Sequence, residues 1–175
     1  MISHEHQCIF VHIPKTADQS VEMLLSGTVV SHRLATDYRD EYPEQFGRYF
    51  KFAIVRNPWD RILSSYLFVK KGTNEITRTL WAHFSSSSSG ASFADWIHFN
   101  GRMMAEGLPV DVDLTANKNL ALQHGSQARW VTDEKGRLII DFVGRFESLD
   151  DDFARVCDKL GLPRKPLPHI NKTQH

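Results

Sequence analysis

The chain has 175 residues, 41% hydrophobic and 24% charged, with 11 Phe, 4 Trp and 4 Tyr. That is enough apolar material for one domain with a sizeable core, and it excludes disordered and low-complexity classes. Its 21 basic and 21 acidic residues cancel, which argues against bulk coating of nucleic acid or a membrane surface.

At the start of the chain, Met1 to Gln7 is mostly polar and lacks the basic-then-apolar pattern of a signal peptide. No apolar run approaches the roughly 18 residues that signal a transmembrane helix. Cys8 and Cys157 are the two cysteines, too few for a disulfide framework, and they read as free thiols of a reducing compartment. The expected location is therefore cytoplasmic.

Cys8-Ile9-Phe10-Val11-His12-Ile13 is short, rich in β-formers and stopped by Pro14, so it reads as a buried strand. A polar turn, Lys15-Thr16-Ala17-Asp18-Gln19-Ser20, follows. Val21, Leu24 and Leu25 then fall at helical spacing until Gly27, a C-cap signal. Ala35 to Phe50 reads as one charged helix.

Lys51 to Val55 is a second buried strand, followed by Arg56-Asn57-Pro58. Asn57 suits a helix N-cap and Pro58 the first helical position. Trp59, Ile62, Leu63, Tyr66 and Leu67 form a helical stripe. Two strand–turn–helix units in series imply a parallel sheet with right-handed crossovers.

Ser85 to Ser89 is a serine run before Gly90 and reads as a loop. Ser92 to Asn100 reads as a helix with a capping-box-like Ser92 and Asp95, and Leu114 to His124 also reads as helical. Arg129 to Thr132, the turn Asp133 to Gly136, and Leu138 to Val143 read as a hairpin. Phe153, Val156, Cys157 and Leu160 mark a last helix, opening at Ser148 and closing at Gly161.

A polar turn between a buried strand and a helix is a candidate anion site, because the helix start offers unpaired N–H groups and a positive dipole end. Lys15 adds a charge there, and Thr16 and Ser20 add hydroxyls. The Walker-A glycine pattern is absent, so this is not the phosphate loop of ordinary ATPases. Arg56 ends the second strand, and Ser64 lies two turns into the next helix. An arginine fork plus a hydroxyl suits a second phosphate. Arg48 to Lys71 holds six basic residues against one acid, Asp60, which favours an anionic ligand.

Together these elements resemble something specific. Ile13-Pro14-Lys15-Thr16-Ala17 with Ser20 resembles the 5′-phosphosulfate loop of the carbohydrate (family 2) sulfotransferases. Phe52-Ala53-Ile54-Val55-Arg56-Asn57-Pro58-Trp59-Asp60-Arg61-Ile62-Leu63-Ser64-Ser65-Tyr66 resembles their 3′-phosphate element. Asp141 to Leu149 and Leu167 to Thr173 also resemble family segments.

The resemblance implies one α/β domain over residues 1–175, a P-loop-NTPase-like three-layer sandwich with a central, mainly parallel sheet. It implies a donor, 3′-phosphoadenosine 5′-phosphosulfate (PAPS), with PAP as product and no metal required. It also implies sulfuryl transfer to a hydroxyl, expected on a carbohydrate or glycoconjugate. Residue by residue, Lys15, Thr16, Ala17, Asp18, Gln19 and Ser20 would hold the 5′-phosphosulfate, with Lys15 stabilising charge on the leaving oxygen. Arg56 and Ser64 would hold the 3′-phosphate, and Lys172 and Thr173 would close over the nucleotide. His32 would be the base that takes the acceptor's proton. His12, just before the loop, reads as a supporting strand residue.

Two features depart from the family pattern. Asp18-Gln19 replaces small residues and a threonine, and a carboxylate at the mouth of an anion loop opposes phosphosulfate unless it caps the helix. The chain also stops at His175, directly after the last family-like segment, as in a short or trimmed version. The alternative readings are a non-catalytic relative that binds PAP(S) or a glycan, and a P-loop-like phosphotransferase. Acceptor contacts are expected from loops between Gly72 and Gly107.

Overall fold

The computed structural model describes residues 1–26, 32–86, 90–106, 125–164 and 167. Its strands are β1 (Ile2–Ser3), β2 (Cys8–Val11), β3 (Phe50–Val55) and β4 (Phe142–Arg145). Its helices are α1 (Asp18–Ser26), α2 (Ala35–Glu41), α3 (Pro43–Arg48), α4 (Pro58–Lys71), α5 (Glu75–Ser86), α6 (Phe93–Glu106), α7 (Ala128–Val131) and α8 (Leu149–Leu160). The chain forms two compact units, 1–57 with 126–174, and 58–125.

The first unit holds the sheet, in the order β1-β2-β3-β4. β1 runs antiparallel to β2, and the β2–β3 and β3–β4 pairs are parallel. This is the mainly parallel α/β sheet expected from two strand–turn–helix units. Phe10 pairs with Phe52, and Val11 with Ala53. Side chains alternate across a strand. Cys8, Phe10, Phe52 and Ile54 therefore share one face, where Val21 and Leu25 of α1 and Phe153, Val156 and Cys157 of α8 pack in one core. Ile9, Val11 and Ala53 point the other way and are equally buried, so the sheet is covered on both faces, as parallel sheets require. Burial pushes the Cys8 thiol up to about 12, because the core disfavours the thiolate.

The second unit packs α5 and α6 against α4 around Tyr66, Val69, Leu80, Phe84, Trp96 and Phe99. Trp96 is fully buried and meets Phe84 edge-to-face at 5.0 Å, so it is a core residue. Among the described residues no helix is long and apolar enough to cross a membrane.

Several sequence expectations change. Pro43 cannot donate an N–H to a continuous ladder, and the helix expected over 35–50 is split into α2 and α3. Ser85 and Ser86 end α5, each hydroxyl donating to the carbonyl three residues back; residues 87–89 and the helix expected over 114–124 lie outside the described residues. Between Gly72 and Gly107, where acceptor loops are expected, Glu75–Ser86 is helical, and the helix expected over 92–100 is α6. The expected hairpin reduces to one antiparallel bridge, Thr132 with Leu138. Residues 128–131 turn helical instead, and Phe142–Arg145 joins β3 in parallel.

Other local signals hold. Ser92 and Asp95 exchange the capping-box bonds that start α6. Gly161 closes α8 at φ 67°, and Leu162 N donates to Cys157 O at 2.8 Å in the six-to-one closure that favours glycine.

Gly144, in β4, sits under the start of α8. A Cβ there would lie 2.8 Å from Ile54 Cδ1, 3.1 Å from Asp152 Cβ and 3.2 Å from Phe142 Cε1. The Ile54 methyl can swing aside, but Asp152 is held by Arg145 N and Ser148 Oγ. Gly144→Ala is expected to destabilise the protein by about 1–3 kcal/mol through overpacking, read as a lower urea midpoint; an unchanged midpoint contradicts this packing.

Candidate functional site

β2 and β3 run side by side in the same direction, so the turns that follow them leave the same edge of the sheet. After β2, the chain passes through His12, Ile13 and Pro14 into residues 15–17. Lys15 has φ 71° and Ala17 φ 67°, left-handed values that non-glycine residues rarely adopt. Such strain concentrates at sites where backbone N–H groups are aimed at a ligand. Thr16 is fully buried, and its hydroxyl donates to Ile13 O at 2.8 Å. That hydroxyl staples the loop, which leaves its backbone N–H as the group to offer an anion. The first backbone bonds of α1 run from Ser20 and Val21 back to Ala17 O. The preceding N–H groups are the ones a helix start leaves open. Ser20 is buried at the first turn.

After β3, Arg56 reaches this loop, with Nη1 donating to Lys15 O at 3.3 Å. Its guanidinium lies 4.2 Å from the centre of the Phe146 ring, a stacking contact that suits a planar cation. Its backbone is clamped by Gln127: Arg56 N donates to Gln127 Oε1 at 2.9 Å, and Gln127 Nε2 donates to Arg56 O at 2.7 Å. Beside it, Glu147 Oε1 accepts from Asn57 N at 2.5 Å.

Lys15, Thr16, Ala17, Ser20 and Arg56 thus lie in one unit at one sheet edge. The first turn of α1 also contains Asp18 and Gln19. Ser64 is buried in α4, in the second unit. Nearby in that helix, Arg61 donates to Gly125 O at 2.5 Å. Burial lowers its pKa to about 10, so it stays cationic at neutral pH. Lys172 and Thr173 lie outside the described residues.

His32 is described and half-buried. Its ring centre lies 4.1 Å from that of His12 and 6.2 Å from Trp130. His12 in turn brings Nδ1 to 2.9 Å from Glu22 Oε1. His32 therefore stands beside the residue that leads into the Lys15 loop.

Sequence reasoning missed Glu22, Gln127 and Phe146. Glu22 carried a faint signal, as an acid next to Val21 on a helix whose stripe packs inward. Gln127 and Phe146 carried none, because Gln127 meets Arg56 across 71 residues of chain and Phe146 meets the Arg56 guanidinium through its ring face.

Open helix-start N–H groups beside an arginine fork are chemically suited to an anion with two separated charges. The comparisons agree on the class. A family model described as "Sulfotransferase family" matches residues 1–175. The chain belongs to the family 2 sulfotransferases. An uncharacterised protein of Archaeoglobus fulgidus is 26% identical over 126 residues, covering 72% of this chain and 79% of that protein. No solved structure matches significantly.

Gln127→Ala would leave the Arg56 N–H and carbonyl without their side-chain partner. The expected cost is about 1–3 kcal/mol, read by urea unfolding. Gln127→Glu keeps the acceptor but loses the donor, and should cost less. Equal stability of both variants and wild type would contradict the clamp.

Proposed function

We propose that the protein is a PAPS-dependent sulfotransferase that moves a sulfuryl group to a hydroxyl, on a carbohydrate or glycoconjugate. The observation that carries the reading is the Arg56 fork on the Lys15 carbonyl at 3.3 Å. It brings Lys15 and Arg56, one from each family-like motif, together within one unit.

PAPS, when bound, supplies the sulfuryl group and a leaving 5′-phosphate. The backbone N–H groups from Thr16 to Gln19 hold the 5′ end of the nucleotide, and the loop's left-handed residues fit this cradle. The Lys15 ammonium stabilises negative charge as it develops on the departing oxygen. Arg56 binds the 3′-phosphate with a fork already oriented by Phe146 and Gln127; such orientation before binding is what favours in-line transfer. Ser64 is assigned to the same phosphate, and Lys172 and Thr173 to the nucleotide, from the motifs alone. His32 takes the acceptor hydroxyl's proton as that oxygen bonds to sulfur. The buried, free Cys8 and Cys157 support a reducing, cytoplasmic setting.

Asp18 and Gln19 at the helix start favour one second reading, a relative that binds PAP without turnover. Labelled PAPS with a mixed panel of unsulfated oligosaccharides separates the two: label transfer supports the enzyme, and PAP binding without transfer supports the binder.

Arg56→Ala should weaken PAP binding about ten- to hundredfold, while adenosine 5′-phosphosulfate, which lacks the 3′-phosphate, loses far less. Calorimetric titrations showing equal losses for both ligands would sink the assignment. His32→Ala should cut turnover roughly hundredfold or more with PAP affinity nearly intact; undiminished turnover would place the base elsewhere.

A further inference from the structure

We propose that Glu22 and His12 form a buried positioning pair that holds the His32 ring and stabilises the positive charge His32 acquires during transfer. The proposal rests on the reading of His32 as the base.

The pair is costly where it stands. Glu22 is 0% exposed and His12 1%, and an ionised carboxylate in a core is strongly disfavoured unless it is matched. Its neighbours on α1, Val21 and Leu25, are apolar core residues, so an apolar side chain would serve the packing as well. A carboxylate retained here points to a task that packing does not supply.

The rings form a row away from Glu22. Glu22 Oε1 meets His12 Nδ1 at 2.9 Å. The His12 ring is backed by Phe10 at 6.2 Å. His32 lies against it at 4.1 Å with a tilt of 58°. Trp130, fully buried, bounds His32 at 6.2 Å and 69°. At 4.1 Å between centres the two imidazoles touch as rings, too close for an in-plane bond between nitrogens. His12 therefore acts on His32 by packing and by field, while Glu22 fixes His12.

The other groups nearby do not cancel this field. The Met1 amino group lies 4.0 Å from Glu22 and donates to Phe10 O and Tyr38 Oη. Burial lowers its pKa to about 5, so it is uncharged at neutral pH. Arg33, next to His32, pairs with Glu41 and lies over the Tyr38 and Tyr42 rings. With His12 neutral, Glu22 leaves the pair one net negative charge, which stabilises the proton His32 takes up, and no water need reorient.

The test uses the full chain labelled with ¹⁵N-histidine, with PAP bound, and two variants. Glu22→Gln keeps shape and removes charge. His12→Asn keeps a donor near the Nδ1 position but removes the ring, and it serves if Glu22→Gln fails to fold. His32 ring signals are assigned by their loss in His32→Ala. The expected result is that both variants keep PAP affinity within about twofold, shift or broaden the His32 ring-nitrogen signals, and lower kcat about tenfold or more with KM little changed. If His32→Ala is inactive while both variants match wild type in ring signals and kcat, the base reading stands and the positioning pair is overturned. If His32→Ala turns over like wild type, the base reading fails and the proposal falls with it.

Discussion

The parallel pairing of Cys8–Val11 with Phe50–Val55 is the constraint from which the site follows. Parallel neighbours send their following turns off the same edge of a sheet. Residues 15–17 and residue 56, some 40 positions apart in the chain, meet there because Phe10 faces Phe52 and Val11 faces Ala53. The register is held by burial on both faces, since a one-residue slip would exchange Phe10 and Phe52 for Ile9 and Lys51 in the main core. Apolar packing deep in the first unit thus sets the position of its most polar turn.

Around that edge, long-range polar contacts stiffen what hydrophobic packing leaves loose. Gln127 completes the backbone pairing of Arg56 where β3 has run out of strand partners, and Glu147 does the same for Asn57. Asp152 holds the end of β4 through Arg145 N. These are loop or helix-start side chains standing in for missing ladder bonds, which is how a buried strand end avoids orphaned backbone groups. The result is an arginine whose backbone is fixed from one side and whose fork is supported by an aromatic face from the other.

β2, β3, α1, α4 and α8 were legible from the sequence because each pairs an apolar pattern with a clear stop: Pro14, Pro58 or Gly161. The candidate binding loop and Arg56 were legible for the same reason, as punctuation at strand ends. What was not legible depends on distant partners. β1 has two residues and exists only through its pairing with Cys8 and Ile9. Residues 142–145 alternate weakly, and only contact with β3 decides between hairpin and parallel strand. The serines at 85 and 86 read as loop, yet they cap their own helix by bonding back to its carbonyls. Glu22 went unread because periodicity cannot tell a buried charge with a partner from an exposed one without.

The account's central claim is that one nucleotide spans both turns. Its most direct measurement is a crystal structure of the protein with PAP. The expected result is a single PAP molecule with its 5′-phosphate across the N–H groups of Thr16 to Gln19 and its 3′-phosphate on the Arg56 fork. A nucleotide bound elsewhere, or Lys15 and Arg56 facing separate cavities, would contradict it.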